Sequence, residues 1–170
     1  MQVDILGLGD TLKEYKPTGN LTIGVNDIGA YYPADVVICV DNLYRFKGER
    51  KKTLCTYKAK EFWSHRLEFK QFQPGFKEYQ VGGTHKLSNM GKKNTVVFGF
   101  TSVYAAITLA YNVYGATEIN IYGCDLVNHP VLGEKNKLNS TVKHLFELFL
   151  YLKEKGVTIN LYCGLSKLVG

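Results

Sequence analysis

Small and polar residues gather at the ends of short apolar runs, and they are the types that hold a phosphorylated ligand. The run from Val3 ends in Gly7-Leu8-Gly9-Asp10-Thr11, the run Leu21 to Val25 in Asn26-Asp27, and the run Val36 to Val40 in Asp41-Asn42. Further on, Gly99-Phe100 leads into Thr101-Ser102, and another run closes in Gly123-Cys124-Asp125. Glycines let a phosphate approach backbone N–H groups, and a helix N-terminus adds a favourable dipole. Asparagine offers a donor and an acceptor to a ribose or a base edge. Together these residues suit a nucleotide. His129, four residues past Asp125, has the side chain for proton transfer near neutral pH. Each feature also has a plainer use: glycine for turn geometry, Asn26 and Asn42 in Asx turns, Thr101 and Ser102 as helix caps, Asp125 as a cap or ion-pair partner.

Other chemistries lack their motifs. Gly7-x-Gly9 has no third glycine, so it is not the dinucleotide fingerprint. There is no Walker loop, no G-x-S-x-G elbow and no His/Cys/Asp spacing for a metal. Cys39, Cys55, Cys124 and Cys163 form no C-x-x-C pair; they are expected to be reduced, three of them as small buried hydrophobes.

The elements that must position these residues follow from the pattern. Val3–Leu8, Leu21–Val25 and Val36–Val40 are short, rich in β-branched residues and mostly apolar, as strands buried on both faces are. Thr53–Tyr57 is expected as a fourth strand. Lys58–Asn94 gives short strands or loop over the core, with no helix placed. Thr95–Phe98 is a strand. Thr101–Tyr114 is a helix with Val103, Ile107, Ala110 and Tyr114 on one face, capped by Thr101 or Ser102 and closed by Gly115. Glu118–Tyr122 is a strand. Asn139–Lys155 is a helix capped by Asn139 or Ser140, with Val142, Leu145, Phe149 and Leu152 inward, and Thr158–Cys163 is the last strand. Alternating strands and helices predict right-handed crossovers and a mostly parallel sheet, with ligands beyond the carboxyl ends of the strands.

The chain has 170 residues, 45% of them apolar and 21% charged, which fits one globular domain spanning 1–170. Its apolar runs fall far short of the ~20 residues that span a bilayer. Met1-Gln2-Val3-Asp4 has no basic region of a signal peptide, and a cytoplasmic protein is expected. The net charge of +6 attracts polyanions; no zinc finger or aromatic RNA-binding signature singles out nucleic acid.

Four segments resemble the bacterial sialyltransferases and their relatives. Ile5-Leu6-Gly7-Leu8-Gly9-Asp10-Thr11-Leu12-Lys13-Glu14-Tyr15 resembles the family's first strand and nucleotide turn, which usually reads G-x-G-P-S-L. Phe100–Ala106 and Glu118–Leu126 are similar to its central helix and the following strand, and Ile159–Leu168 to its last strand. The same core occurs in pterin diphosphokinase-like and flagellin-glycosylation-associated proteins. The resemblance implies a Rossmann-like three-layer α/β sandwich that binds a cytidine nucleotide sugar, CMP-linked, and needs no metal or other cofactor. It implies that the Gly7–Leu12 turn meets phosphate and ribose, that Asn26, Thr101 and Ser102 approach the nucleotide, and that His129 stands where a catalytic histidine follows the Gly-x-Asp strand.

The sequence departs from the family in two places. Asp10-Thr11 replaces Pro-Ser and sets a carboxylate near the phosphate position. Leu126 to Leu138 is 13 residues, so the family's lid is absent or much reduced, and water exclusion falls to Lys58–Asn94 or to a second subunit of a homo-oligomer. A small viral member, working in the host cytoplasm, has this form. The expected function is transfer of a sugar from a nucleotide donor. The alternatives are a non-catalytic nucleotide-binding or viral assembly protein of the same fold, and a phage DNA-modification enzyme.

Overall fold

The computed structural model describes residues 1–126 and 135–168. Its strands are β1 (Gln2–Leu6), β2 (Leu21–Val25), β3 (Val36–Ile38), β4 (Glu61–Ser64), β5 (Phe76–Glu78), β6 (Gln80–Thr84), β7 (Thr95–Phe98), β8 (Glu118–Tyr122) and β9 (Thr158–Tyr162). The α-helices are α1 (Gly48–Thr56), α2 (Ser102–Asn112) and α3 (Lys135–Glu154), and short 3-10 turns fill several connections. Seven strands form one sheet in the order β5-β4-β3-β2-β1-β8-β9, with every pairing parallel. This is the expected Rossmann-like α/β arrangement. From β1 the chain runs outward to β5, then returns to lay β8 on β1's other side. Such a reversal is where open parallel sheets place their ligands.

Period-two alternation sends side chains to two separate cores. Val3, Ile5, Ile23, Val25, Val36, Ile38, Ile119 and Ile121 pack with α2 and α3 on one face. Leu6, Val37, Cys39 and Phe62 pack with Leu54 of α1 and the 3-10 turns on the other. The inward stripe of α3 is as expected, with Leu145 and Leu152 at 0% exposure. Cys39, Cys124 and Cys163 are free and buried, and burial pushes all three thiols up.

Four expectations are corrected. Thr53–Tyr57 is not a strand: its first four residues complete α1. Good helix formers at Glu49 to Lys52 start the helix, and Thr56 settles into it by donating its hydroxyl to Lys52 O at 2.8 Å. Lys58–Asn94 forms the short strands expected there, but not only as cover over the core. It supplies β4 and β5 to the main sheet, with 3-10 turns at Leu67–Gln71 and Leu87–Asn89. β7 lies outside the main sheet, paired with β6. Side chains of α2 bond β7's backbone instead: Val97 N donates to Thr108 Oγ1 at 3.1 Å, and Asn112 Nδ2 donates to Thr95 O at 2.8 Å. Finally, α3 begins at Lys135, so Asn139 and Ser140 lie within it rather than capping it.

A polar network crosses the sheet from inside. Asp4, in mid-β1, is fully buried. Its Oδ2 accepts from Tyr15 OH at 2.8 Å and Thr18 Oγ1 at 2.6 Å. Its Oδ1 accepts from Asn120 Nδ2 at 2.9 Å and Asn20 Nδ2 at 3.2 Å. Asn160 Nδ2 extends the row to Asn120 Oδ1 at 2.8 Å. Burial, then the bond to Asp4, push the Tyr15 phenol up. Removing the hub takes an acceptor from four donors, of which Asn20 Nδ2 keeps Gln2 Oε1 at 3.4 Å. Asp4→Ala is expected to cost about 3 kcal/mol in urea denaturation; a loss below about 0.5 kcal/mol, typical of a surface change, would show that the row does not hold the sheet.

Candidate functional site

The loops after β1, β8 and β9 are laced together. Gly7 N donates to Tyr122 O at 2.8 Å and Gly9 N to Gly123 O at 2.7 Å. The approach is so close that a Cβ on Gly7 would lie 2.5 Å from Gly123 O, and one on Gly9 would strike the Asp125 carboxylate. Asp125 Oδ2 accepts from Thr11 N at 2.9 Å, and its Oδ1 accepts from Thr11 Oγ1 at 2.7 Å and Gly164 N at 2.6 Å. Thr11 Oγ1 in turn accepts from Gly123 N at 3.0 Å. Gly7, Gly9, Thr11, Gly123 and Asp125 are therefore one cluster, in which the Gly7 and Gly9 amides are donated to the chain's own carbonyls. Leu8 is half-buried beside it, and Asp10 is exposed at the head of a 3-10 turn.

A second cluster forms where β2 meets α2. Asn26 has φ +52°, the left-handed conformation that asparagine tolerates better than most side chains. Its N–H donates to Ile38 O at 3.0 Å. Its Nδ2 donates to Ser102 Oγ at 3.4 Å, while its Oδ1 is buried without a partner. Thr101 caps α2, Oγ1 accepting from Val103 N at 3.4 Å. Val103 lies against Gly7, so the two clusters adjoin. Asp41 and Asn42 are used locally instead: Asn42 Oδ1 accepts from Arg45 N at 3.1 Å, and Asp41 Oδ1 pairs with Arg45 Nη1 at 3.1 Å.

His129 lies outside the described residues. A different pair of histidines stands beside Thr101. His85 and His144 stack with ring centroids 3.5 Å apart and planes at 9°. Phe100 meets His85 edge-on at 4.7 Å and His144 at 6.0 Å. His144 Nδ1 lies 3.2 Å from Glu147 Oε2, and His85 Nε2 is buried without a partner. Sequence reasoning missed this group. Fifty-nine positions separate the two histidines, and the one local signal was Glu147 one helical turn after His144.

A groove of about 400 Å³, lined in part by Asn20, Asp35, Lys60 and Glu61, lies at the amino edge of β2–β4, the end opposite these clusters. Among the described residues no helix is long and apolar enough to cross a membrane.

No protein-family model and no curated protein matches the sequence. Among solved structures the chain is similar to the sialyltransferase CstII from Campylobacter jejuni, determined in complex with a substrate analogue, CMP-3FNeuAc. The TM-score is 0.51 at 16% identity, over 95% of this chain and 79% of that one. The likeness is one of fold, and the fold is sialyltransferase-like.

Burial, then the nearby His144, lower the His85 pKa from its ordinary 6.5, with Glu147 opposing. The folded state thus prefers neutral His85. Below about pH 6.5 the unfolded chain binds a proton that the folded chain resists. The contribution is full above that pH and is lost as pH falls toward the folded value. Urea midpoints measured from about pH 7.5 down to about pH 5.5 should fall, and His85→Asn, which tolerates His85's φ of +55°, should flatten that fall. An unchanged slope in the variant would remove His85 as its source.

Proposed function

We propose that the chain is a nucleotide-sugar glycosyltransferase, with residues 1–170 acting as one Rossmann-like nucleotide-binding domain and a CMP-linked sugar as donor. The observation that carries this reading is the meeting of Asn26 with Ser102 at the head of α2, with a buried amide oxygen left unpaired. The Asn26 amide suits a ribose hydroxyl or a base edge. The first turn of α2, with the Thr101 and Ser102 hydroxyls, suits the phosphate. Gly7, Leu8, Gly9, Asp10 and Thr11 line the β1 side, Gly123 and Asp125 hold that side in place, and Asp41 and Asn42 border the β2 side. The CMP-sugar analogue in the structurally similar sialyltransferase supports the choice of donor.

In the proposed reaction a histidine takes the proton from an acceptor hydroxyl. The hydroxyl oxygen forms a bond to the anomeric carbon, and the bond from that carbon to the phosphate oxygen breaks, releasing the nucleoside monophosphate. Dipole and hydroxyls at the α2 N-terminus stabilise the charge developing on the phosphate. His129 is assigned the proton by its place after the Gly-x-Asp strand; His144, beside Phe100 and the Thr101 cap, is the competing assignment.

The second reading, binding without transfer, is favoured by one observation: the Gly7 and Gly9 amides are already committed within the fold.

At a hundredfold excess over Kd, a ligand stabilises the folded state by about 2.7 kcal/mol. CMP is expected to raise the melting temperature more than UMP or AMP, and Asn26→Gly, which keeps the left-handed backbone, should lose most of that shift. Release of CMP from a CMP-sugar should be abolished in His129→Ala or in His144→Ala, with the CMP shift kept. No shift with any nucleotide at about millimolar concentration would defeat both readings; a shift without turnover selects the second.

A further inference from the structure

The positive charge is concentrated. Residues 41–60 hold seven Lys and Arg against two Asp and Glu, while the rest of the chain holds fourteen against thirteen. Lys58 and Lys60 stand apart at the far end of α1, Lys58 on the Cys55 and Phe72 carbonyls and Lys60 on Asp35. The other five, Arg45, Lys47, Arg50, Lys51 and Lys52, are all exposed on α1 and the turn before it. Nearby acids pair with Arg45 and Arg50, whereas Lys47, Lys51 and Lys52 have no ion pair among the described residues. Asp27 is 2% exposed and is covered by Arg50, whose Nε and Nη2 each reach Asp27 Oδ1 at 3.0 Å. Asp41 is paired with Arg45. Glu68 is half-buried near Leu43 N at 3.4 Å, and only Glu49 is exposed among the cations.

Tyr44 lies among these cations at 74% exposure, the highest among the exposed large hydrophobic side chains of the described residues. Lys51 Nζ sits 5.4 Å from its ring centroid. Arg50 is held in place twice, by Asp27 below it and by the Phe46 ring, 4.9 Å from its Cζ. An open aromatic face flanked by fixed and mobile cations is the combination that binds unpaired bases and their phosphates. In an intact duplex the bases are stacked on each other and closed to such a ring. A sulfated or carboxylated glycan would use the cations but has no base to lay on Tyr44.

We propose that Tyr44, Arg45, Lys47, Arg50, Lys51 and Lys52 form a binding face for single-stranded nucleic acid, cations on phosphates and Tyr44 stacked on a base. The face borders Asn26, because Arg50 grips the next residue, Asp27. It stands independently of the transferase reading.

The test is fluorescence anisotropy of a labelled oligothymidylate of about 12 nucleotides between about 20 and about 200 mM salt, with a duplex and heparin as competitors. For single strands log affinity should fall with log salt by about 0.7 per phosphate neutralised. Tyr44→Ala should weaken binding about tenfold with the slope unchanged. The triple variant Lys47→Glu, Lys51→Glu, Lys52→Glu should flatten the slope by about 2, whereas Lys92→Glu with Lys93→Glu should change neither. All these side chains are exposed, and circular dichroism checks that each variant folds. Absence of binding at low salt, a duplex bound more tightly than the single strand, or heparin competing equally while Tyr44→Ala has no effect would each overturn the proposal.

Discussion

One carboxylate fixes the business end of this sheet. Asp125 accepts from the Thr11 amide and hydroxyl and from the Gly164 amide, so it holds the loops that leave β1, β8 and β9 at once. The grip requires Gly7, Gly9 and Gly123, because backbone carbonyls and the carboxylate occupy the space a Cβ would take. It also closes the crevice between β1 and β8, where an open parallel sheet would otherwise offer its site. The free polar groups therefore lie one strand over, where Asn26 faces the head of α2. The position of the candidate site follows from where the latch leaves room.

The same economy governs the sheet interior. Asp4 could not stay buried in a central strand without partners. Asn20, Tyr15 and Thr18 supply them from the β1–β2 connection and Asn120 from β8. The face that carries this polar row is apolar farther along, around Leu6, Val37 and Phe62, and there α1 and the 3-10 turns cover it. The opposite face is apolar throughout β1, β2 and β8 and takes the longer helices. Where the polar row lies, hydrogen bonds across registered strands stand in for a packed helix.

Much of this was legible, for physical reasons. β1, β2, β3 and β8 read as mostly apolar runs because helices and turns bury the sheet's interior strands, β9 shows through Ile159 and Leu161 at the sheet's edge, and α2 and α3 have stripes wide enough to show the helical period. β4 and β5 fall where short strands or loop were expected, but four- and three-residue strands carry too little pattern to fix their bounds or their place in the main sheet. α1 was misjudged because Thr53 and Thr56 favour strands locally, while Leu54 in the core and Arg50 on Asp27 decide for a helix. In the site, the meeting of Asn26 with Ser102 could be anticipated from strand ends alone. The His85–His144 stack could not, since nothing local couples a left-handed residue after β6 to the middle of a distant helix.

β1 lies in the interior of the sheet, yet it is made before both strands it pairs with, and one of these, Glu118–Tyr122, follows more than a hundred residues later. Until that stretch has been synthesised and has left the exit tunnel, one border of β1 has no partner, and Asp4 waits for Asn120 with it. Nascent chains that stall before position 118 therefore present a bare parallel edge carrying a half-solvated carboxyl group, a form that chaperones retain and that other chains can extend. Completion of this fold thus waits on the synthesis of Glu118–Tyr122, whatever ligand the finished protein meets.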